Sequence, residues 1–439
     1  MYYPAKMHDE LFADVARRPV VAALPDGTVR LETANRTQVE LTPTDLEGLL
    51  RPGHAARLVW RFVEGLDLRP FYAPIRARVG GPGRPAIDPK ILVALWLYAT
   101  IDGVGSAREL DRLCYAHDAY RWLRGGVSVN YHTLSDFRVA HQTAVDALLT
   151  QSVAVLVHQR VVTLTRVAQD GTKVRARAGV RSFRRRPTLE TALQLARQQV
   201  RRTAAQVQGE VHAREAAAQQ RATAERVARI EAALAELPAV EAAKRRNRSK
   251  ALPRTSTTDP EARVMKQMDG GYRPAYNVQF ATDVASQVVV GVAVTNTGSD
   301  QGALVPMLEQ ITRRTGQPPA GALVDGGYVS TEAIHTAHTQ DVTLYAPVPK
   351  GAHGPGAGAE AGKDVAVAAW RDRMATAEAQ AIYKARAGTA ERINADAKCH
   401  RTLHRLPVRG LGKVLTWALW VALAQNMMRT MEIVPHLMT

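Results

Sequence analysis

Apolar residues along this chain change their period several times, and the changes mark out its parts. Residues 1–48 alternate over short stretches such as TVRLETANRTQVELTP, a pattern for a small hairpin or an N-terminal arm. From 49 to 155 the period is helical with repeated turn punctuation. GGPGRPAIDPK (80–90) reads as a loop that ends at a helix start, with Asp88 as cap and Pro89 in the first turn. ILVALWLYATIDG follows as a largely buried helix stopped by Gly103. Ser106 and Glu109 have the spacing of a capping box at the head of a segment ending in Gly125–Gly126, and SVNYHTLSDFR opens another capped helix. Short helices, tight turns and interspersed arginines fit a helix-turn-helix-like DNA-binding domain, and they fit a plain helical bundle as well.

At 160–179 (RVVTLTRVAQDGTKVRARAG) the residues turn β-branched, predicting one or two strands. The stretch 187–247 is different again: rich in Ala, Gln, Arg and Glu, without aromatics, with apolar residues such as Leu193, Val200, Val227, Ile230 and Leu237. It reads as one long helix or a helical hairpin of coiled-coil type, forming an insertion over 183–252. Residues 273–296 predict a strand hairpin, and SDQGALVPMLEQITRRTG a helix capped near Ser299 or Asp300. A strand in PAGALVDGG, a helix around 331–339, a strand VTLYAPVP, a glycine-rich loop (351–362) and helical pattern through 403 come next. The apolar run VLTWALWVALAQNMM (414–428) is shorter than the ~20 residues of a bilayer crossing and reads as a buried helix of a soluble chain. Strand hairpins mixed with helical crossovers point to an α/β layer with a mixed sheet.

Composition sharpens this. Lys and Arg outnumber Asp and Glu by 58 to 41 among 439 residues, a formal charge of +17. Such an excess fits a polyanionic partner, nucleic acid first, or a merely solvated basic surface. Cys114 and Cys399 form no disulfide framework and no CxxC pair, as suits a reducing cytoplasm. The first residues contain acids and lack an apolar core, so no secretory signal is expected.

Three acids fall at comparable places. Asp170 ends the strand in VAQDGTKV, Asp325 ends the strand in ALVDGGYVS, and Glu391 lies in the helical run YKARAGTAERINADAKCH. Carboxylates converging from strand ends and one helix can hold Mg²⁺ through one or two oxygens each. Two such ions ~3.5–4 Å apart would suit in-line phosphoryl displacement. Taken singly, an Asp before Gly at a strand end is also an ordinary turn residue. Asp283 and Asp300 read as a hairpin-turn residue and a helix cap, outside the metal set.

The segments VAQDGTKV, GGYRPAYNVQFATD, NTGSDQG, ALVDGGYVS and TAERINADAK…RGLGKV…ALWVALAQNMMR resemble bacterial insertion-sequence transposases with an Asp-Asp-Glu core. GRPAIDPKILVALWLYATIDGVGSARELDRL…YHTLSDFR is similar to the N-terminal domain of one large branch of that family. The resemblance implies an RNase H-like mixed-sheet catalytic domain (156–439) carrying the helical insertion, preceded by an all-α DNA-binding domain (49–155). It implies Asp170, Asp325 and Glu391 as catalytic and metal-binding residues, with two Mg²⁺ ions that Mn²⁺ replaces. The implied partners are double-stranded DNA, as terminal inverted repeats and target, and a second copy of the chain assembled on it, near the nucleoid. Many relatives carry Y-x2-R-x3-E-x6-K. Here Tyr383, Arg386, Glu391 and Lys398 occur, but four residues separate Arg386 from Glu391. In an unbroken helix Arg386 points nearly opposite to Glu391, at ~100° per residue, whereas Glu391, Asn394 and Lys398 share a face. A bulge or a new helix starting at Gly388 would restore the alignment. Lys398, Arg386, Tyr383 and Lys173 are thus expected DNA contacts, as are Arg245, Arg246 and Arg248 in the basic run AAKRRNRSK.

Overall fold

Burial runs through nearly the whole strand Tyr272–Asp283 and all round the helices Pro89–Ile101 and Leu411–Ile433, so the core lies on a sheet covered by helices. A computed structural model describes residues 37, 45–78, 80–81, 84–206, 213–246, 248–349 and 364–434. The 1–48 arm and the glycine-rich loop at 351–362 lie almost wholly outside the described residues. Residues 46–439 make one unit by their contacts, distinct from residues 1–45.

The N-terminal part of that unit is all helix: α1 (Ala55–Glu64), α2 (Arg69–Tyr72), α3 (Pro89–Ile101), α4 (Ala107–Ala116), α5 (Asp118–Arg124), α6 (Tyr131–Ala140) and α7 (Gln142–His158). The caps fall where the residues call for them. The Asp88 carboxylate accepts the Lys90 N–H (2.8 Å), Ser106 Oγ the Glu109 N–H (3.3 Å) and Asn130 Oδ1 the Thr133 N–H (3.0 Å). Gly103, at φ +73°, lies so close to the His400 carbonyl that a Cβ would sit 2.9 Å from it. The segment 106–126 is two helices rather than one, because extended backbone at His117 ends α4 and its ring caps α5.

The rest is mixed α/β: β1 (Val167–Arg175), β2 (Phe183–Arg184), α8 (Arg186–Gln206), α9 (Ala213–Arg246), β3 (Thr255–Ser256), β4 (Arg263–Lys266), β5 (Tyr272–Asp283), β6 (Val289–Thr295), α10 (Leu304–Thr315), β7 (Gly321–Leu323), α11 (Thr331–Thr339), β8 (Thr343–Tyr345), α12 (Val365–Ala375), α13 (Ala377–Arg386), α14 (Arg392–Cys399) and α15 (Leu411–Ile433). The long polar insertion is an antiparallel pair. Leu189 and Ala196 of α8 pack on Ile230, Ala233 and Leu237 of α9, and Arg197 bridges to Glu231 at 2.7 Å.

The main sheet runs β4-β5-β1-β7-β8, with β6 also on the outer edge of β5. β5 is antiparallel to both β1 and β6, while β7 and β8 join β1 in parallel. The helix α10 does not start at Ser299 or Asp300. Its N-cap is Ala303, and the Asp300 side chain is committed elsewhere.

The helix α15 is apolar all round because it is surrounded, by α3, α6, α7 and the sheet, and one continuous core runs from Leu50 to Met427. No helix among the described residues is long and apolar enough to cross a membrane. Polar groups inside this core find partners. Trp96 and Trp420 donate their indole N–H to the Leu134 and Arg138 carbonyls (2.9 and 3.1 Å). Asn426 accepts from the Val289 N–H (2.7 Å) and donates to its carbonyl (2.8 Å), closing the free edge of β6 as another strand would. Asn426→Leu leaves both backbone groups dry and unpaired, at about 1–3 kcal/mol each. The expected loss is about 2–4 kcal/mol, read as a lower denaturant midpoint by circular dichroism.

Candidate functional site

β1 and β7 are parallel neighbours, with Ala168 opposite Leu323. Two residues beyond that pair stand Asp170, still inside β1, and Asp325, just past the end of β7, near enough for the charge of Asp325 to act on Asp170. The 3-residue β7 ends at Leu323, so the edge of β1 is free of a paired strand from there until Arg175 meets 404–406. The Asp325 carboxylate also accepts the Gly327 N–H at 2.7 Å, heading a 3-10 turn, Gly326–Tyr328.

The third acid comes from the helix that crosses this edge. Residues Ala387–Glu391, containing Gly388, form a single π turn between α13 and α14. A π turn stacks residues five apart, and Arg386 and Glu391 are five apart. Their guanidinium and carboxylate lie 3.7 Å from each other, and the same guanidinium lies 3.5 Å from Asp170 Oδ1. The bulge expected at Gly388 is therefore present, and it turns Arg386 toward the acids. Asn394 Nδ2 donates to the other Asp170 oxygen at 3.0 Å. Tyr383 stands by, its ring 6.0 Å from the Arg386 guanidinium.

The electrostatics follow from this packing. Burial pushes Asp170 above the ordinary carboxylate range; Arg386 opposes the shift, and Asp325 and Asp300 add to it. Burial alone would depress Arg386, but Asp170, Tyr383 and Asp325 hold it above its ordinary value. Lys398 is lowered by burial and lies within electrostatic reach of Asp170 and Lys173. Arg245, Arg246 and Arg248 are elsewhere, at and just beyond the exposed end of α9, where Arg245 pairs with Glu241 at 2.8 Å. No described contact joins them to the acids.

Among the described residues no three carboxylate, imidazole or thiol groups stand close enough together to hold a metal ion as arranged. The reason is visible in Arg386, whose charge occupies the space between Asp170 and Glu391, and in Glu391 itself, whose side chain is 63% exposed. Asp170 does not end its strand, as the sequence suggested, but lies inside the nine-residue β1, and Asp325 stands two residues past the end of β7. The donor chemistry nonetheless fits a hard divalent cation, since both acids offer carboxylate oxygens and burial makes the Asp170 charge costly.

A polar network behind the acids was not foreseen. Asn277 Nδ2 and Gln279 Nε2 both donate to Asp300 Oδ1 (2.7 and 2.6 Å), Gln169 Nε2 donates to Gln279 Oε1 (3.1 Å), and Tyr328 Oη donates to that same oxygen. Asp300 thus works as an acceptor at the back of the sheet, not as a cap. Asp283 matches its turn reading, accepting from Ser286 N and Oγ (2.9 and 2.7 Å). Gly171 is obligatory beside Asp170, since a Cβ there would collide with Gln279, Asp300 and Asn277. The alternate amides in AYNVQF, inside a strand otherwise apolar, were the available signal.

A carboxyl whose folded pKa exceeds its unfolded one holds its proton more tightly in the native chain, so its ionisation destabilises the fold as pH rises through that raised pKa. Asp170→Asn should therefore unfold at higher denaturant than the parent at pH 7 in EDTA. The gap should close as pH falls into the ordinary carboxylate range, a trend read from denaturant midpoints against pH.

Two family models match the chain. Residues 44–140, covering α1 to α6, match one described as a transposase domain (DUF772), and residues 361–431, covering Glu391 and most of α15, match one described as a transposase DDE domain. Both describe transposases, and together they support an insertion-sequence DDE transposase. Asp170 and Asp325 lie outside both matched segments. No curated protein and no solved structure matches the chain.

Proposed function

We propose that this insertion-sequence DDE transposase cleaves DNA strands at the ends of its element and joins the freed 3′ ends to target DNA. The observation that carries the proposal is the meeting of Asp170, Asp325 and the Arg386–Glu391 turn at one sheet edge. The order β6-β5-β1-β7-β8, antiparallel on one side of β1 and parallel on the other, supports an RNase H-like core. The short capped helices α4 to α6 suit a helix-turn-helix-like DNA-binding domain within 49–155, and the α8–α9 arm is a protrusion for DNA or a second copy of the chain.

Asp170 and Asp325 would hold divalent cations, Mg²⁺ or Mn²⁺, with Glu391 completing a second position. Such ions supply a water of lowered pKa and positive charge against the attacked phosphodiester. The chain's own residues do the rest. Asn394 fixes the rotamer of Asp170 through the oxygen that Arg386 does not approach. Arg386 neutralises the acid cluster before DNA arrives, then turns to a phosphate oxygen once the carboxylates have other counter-charges. Lys398 and Lys173 extend positive charge along β1, where backbone phosphates flanking the scissile bond would lie. Gly326 and Gly327 keep the surface next to Asp325 low enough for a phosphodiester to approach. Water attacks the phosphorus and the 3′ oxygen leaves as a hydroxyl; that hydroxyl then attacks a target phosphodiester, loses its proton and displaces the target strand's own 3′ oxygen, which leaves as a hydroxyl.

A duplex carrying the inverted repeat that flanks the coding region is the test substrate. Wild type should nick it in Mg²⁺ and not in EDTA, and Asp325→Ala should lower the rate by at least about 10³-fold with duplex binding unchanged. Equal cleavage by wild type and Asp325→Ala would make the chain a catalytically silent DNA-binding relative.

A further inference from the structure

Several arginines in or against the helical part are paired with a carboxylate: Arg57 with Glu47, Arg112 with Glu109, Arg121 with Asp118 and Arg314 with Asp146. Four others are not, and they share one place. A cleft of about 550 Å³ opens where the heads of α4 and α6 face Arg177 and the 402–408 segment, and it is lined by Arg108, Arg138, Arg177, Arg405, His132 and His404. Asp136 is the acid among the lining residues. None of the four arginines has a carboxylate within 4.0 Å among the described residues.

Arg138 is the telling member. It is only 6% exposed, clamped between the rings of Trp96 and Trp417 with its guanidinium 3.9 and 3.7 Å from their centroids. Its Nη1 donates to the Gly105 carbonyl at 2.7 Å, while its Nε has no partner. Two indole faces steady a cation, but a guanidinium this dry without an anion is an expensive thing for a fold to keep. Burial draws its pKa down to about 9. The rest of the wall has the same sign. Arg177 is tied down through the Pro407 carbonyl at 2.7 Å, and Arg108 lies 5.1 Å over the Tyr131 ring. The N-terminal ends of α4 and α6, each ten residues long, add their positive dipoles.

The cleft also lies on a line with the acids. β1 leads directly from Asp170 past Lys173 to Arg175, whose backbone pairs with 404–406, and Arg177 follows. Seven residues of extended chain span at most about 23 Å, which is the rise of about seven nucleotides measured along the axis of B-DNA. We propose that this cleft is a second anchoring site, which takes a backbone phosphate of the DNA about seven nucleotides or fewer from the phosphodiester at Asp170 and Asp325. The inference rests on DNA being the substrate, and it makes the joint between helical part and sheet the element that sets how far along the duplex cutting falls.

The test uses the full-length chain and a fluorescein-labelled duplex of about 30 base pairs and arbitrary sequence, read by anisotropy across salt concentrations. Arg177→Ser with Arg405→Ser removes two exposed charges from the cleft, and Arg61→Ser with Arg313→Ser removes two exposed charges elsewhere. The cleft pair should bind about tenfold more weakly than wild type, with the slope of log affinity against log salt reduced by about 1, for the one phosphate no longer neutralised. The control pair should change both much less. Equal losses in the two pairs, at matched circular dichroism spectra, overturn the site. Wild type that binds through the cleft but never cuts the repeat duplex in Mg²⁺ would overturn the catalytic reading and leave the cleft standing. Cutting by wild type with no difference between the pairs would do the reverse.

Discussion

Two carboxylates on neighbouring chain segments, Asp170 inside β1 and Asp325 just past the end of β7, repel each other, and in a half-dry setting the repulsion is not screened away. This chain answers with Arg386, aimed at Asp170 and Glu391 from a helix that must be one residue out of register to reach them. The π turn at Ala387–Glu391 is therefore what brings the guanidinium to both carboxylates. An unbroken α-helix would send Arg386 to the wrong side and leave Asp170 with only the neutral Asn394 amide. π turns are rare, weakly bonded and concentrated at working sites, and here the irregularity has a definite electrostatic job.

The site needs a rigid sheet behind it, and the rigidity comes from two kinds of packing. On one face α14 and α15 press on β1 and β5, with Asn426 knitting α15 to the edge of β6. On the other, Asp300 gathers Asn277 and Gln279, and Tyr328 completes the chain of donors from the turn that follows Asp325. That network links the position of the Asp325 turn to the backbone at Gly171, next to Asp170. Displacement of either acid would have to break buried hydrogen bonds, each of which leaves an unsatisfied group behind.

Much of this was legible in the residues, for identifiable reasons. Caps and breakers are local, so Asp88, Ser106, Asn130 and Gly103 marked the helix boundaries of the N-terminal part directly. The helical character of the insertion was legible because its apolar residues recur at helical spacing with no aromatics to suggest anything else, whereas the choice between one long helix and a hairpin was left to the fold. The bulge at Gly388 was legible because one residue too many separates Arg386 from Glu391. What escaped was long-range. Asp300 has the local setting of a helix cap, and only the fold brings β5 behind it to claim its carboxylate. Likewise β4 is four residues long and exists because β5 offers it an edge around Pro274. The break at His117 escaped because nothing in SARELDRLCYAHDAYRWLRGG but one imidazole distinguishes two helices from one.

The helical part and the sheet share a core, and this bears on how binding and chemistry are coupled. Arg138 belongs to α6, but its carbonyl receives Trp420 of α15 and its guanidinium rests on Trp417 of the same helix. Trp96 of α3 closes the other side. α15 in turn carries Gln425, which donates to Asp396 of α14 at 2.9 Å, on the helix that also bears Asn394 and Lys398. A load on the helical part therefore reaches the acids through packed side chains and one buried helix, with no flexible linker between. Under the function proposed above, cutting DNA at a fixed distance from the place where it is held would need such stiffness, because a compliant joint would smear the distance. A continuous core of aromatic and aliphatic residues from Leu50 to Met427 meets that need.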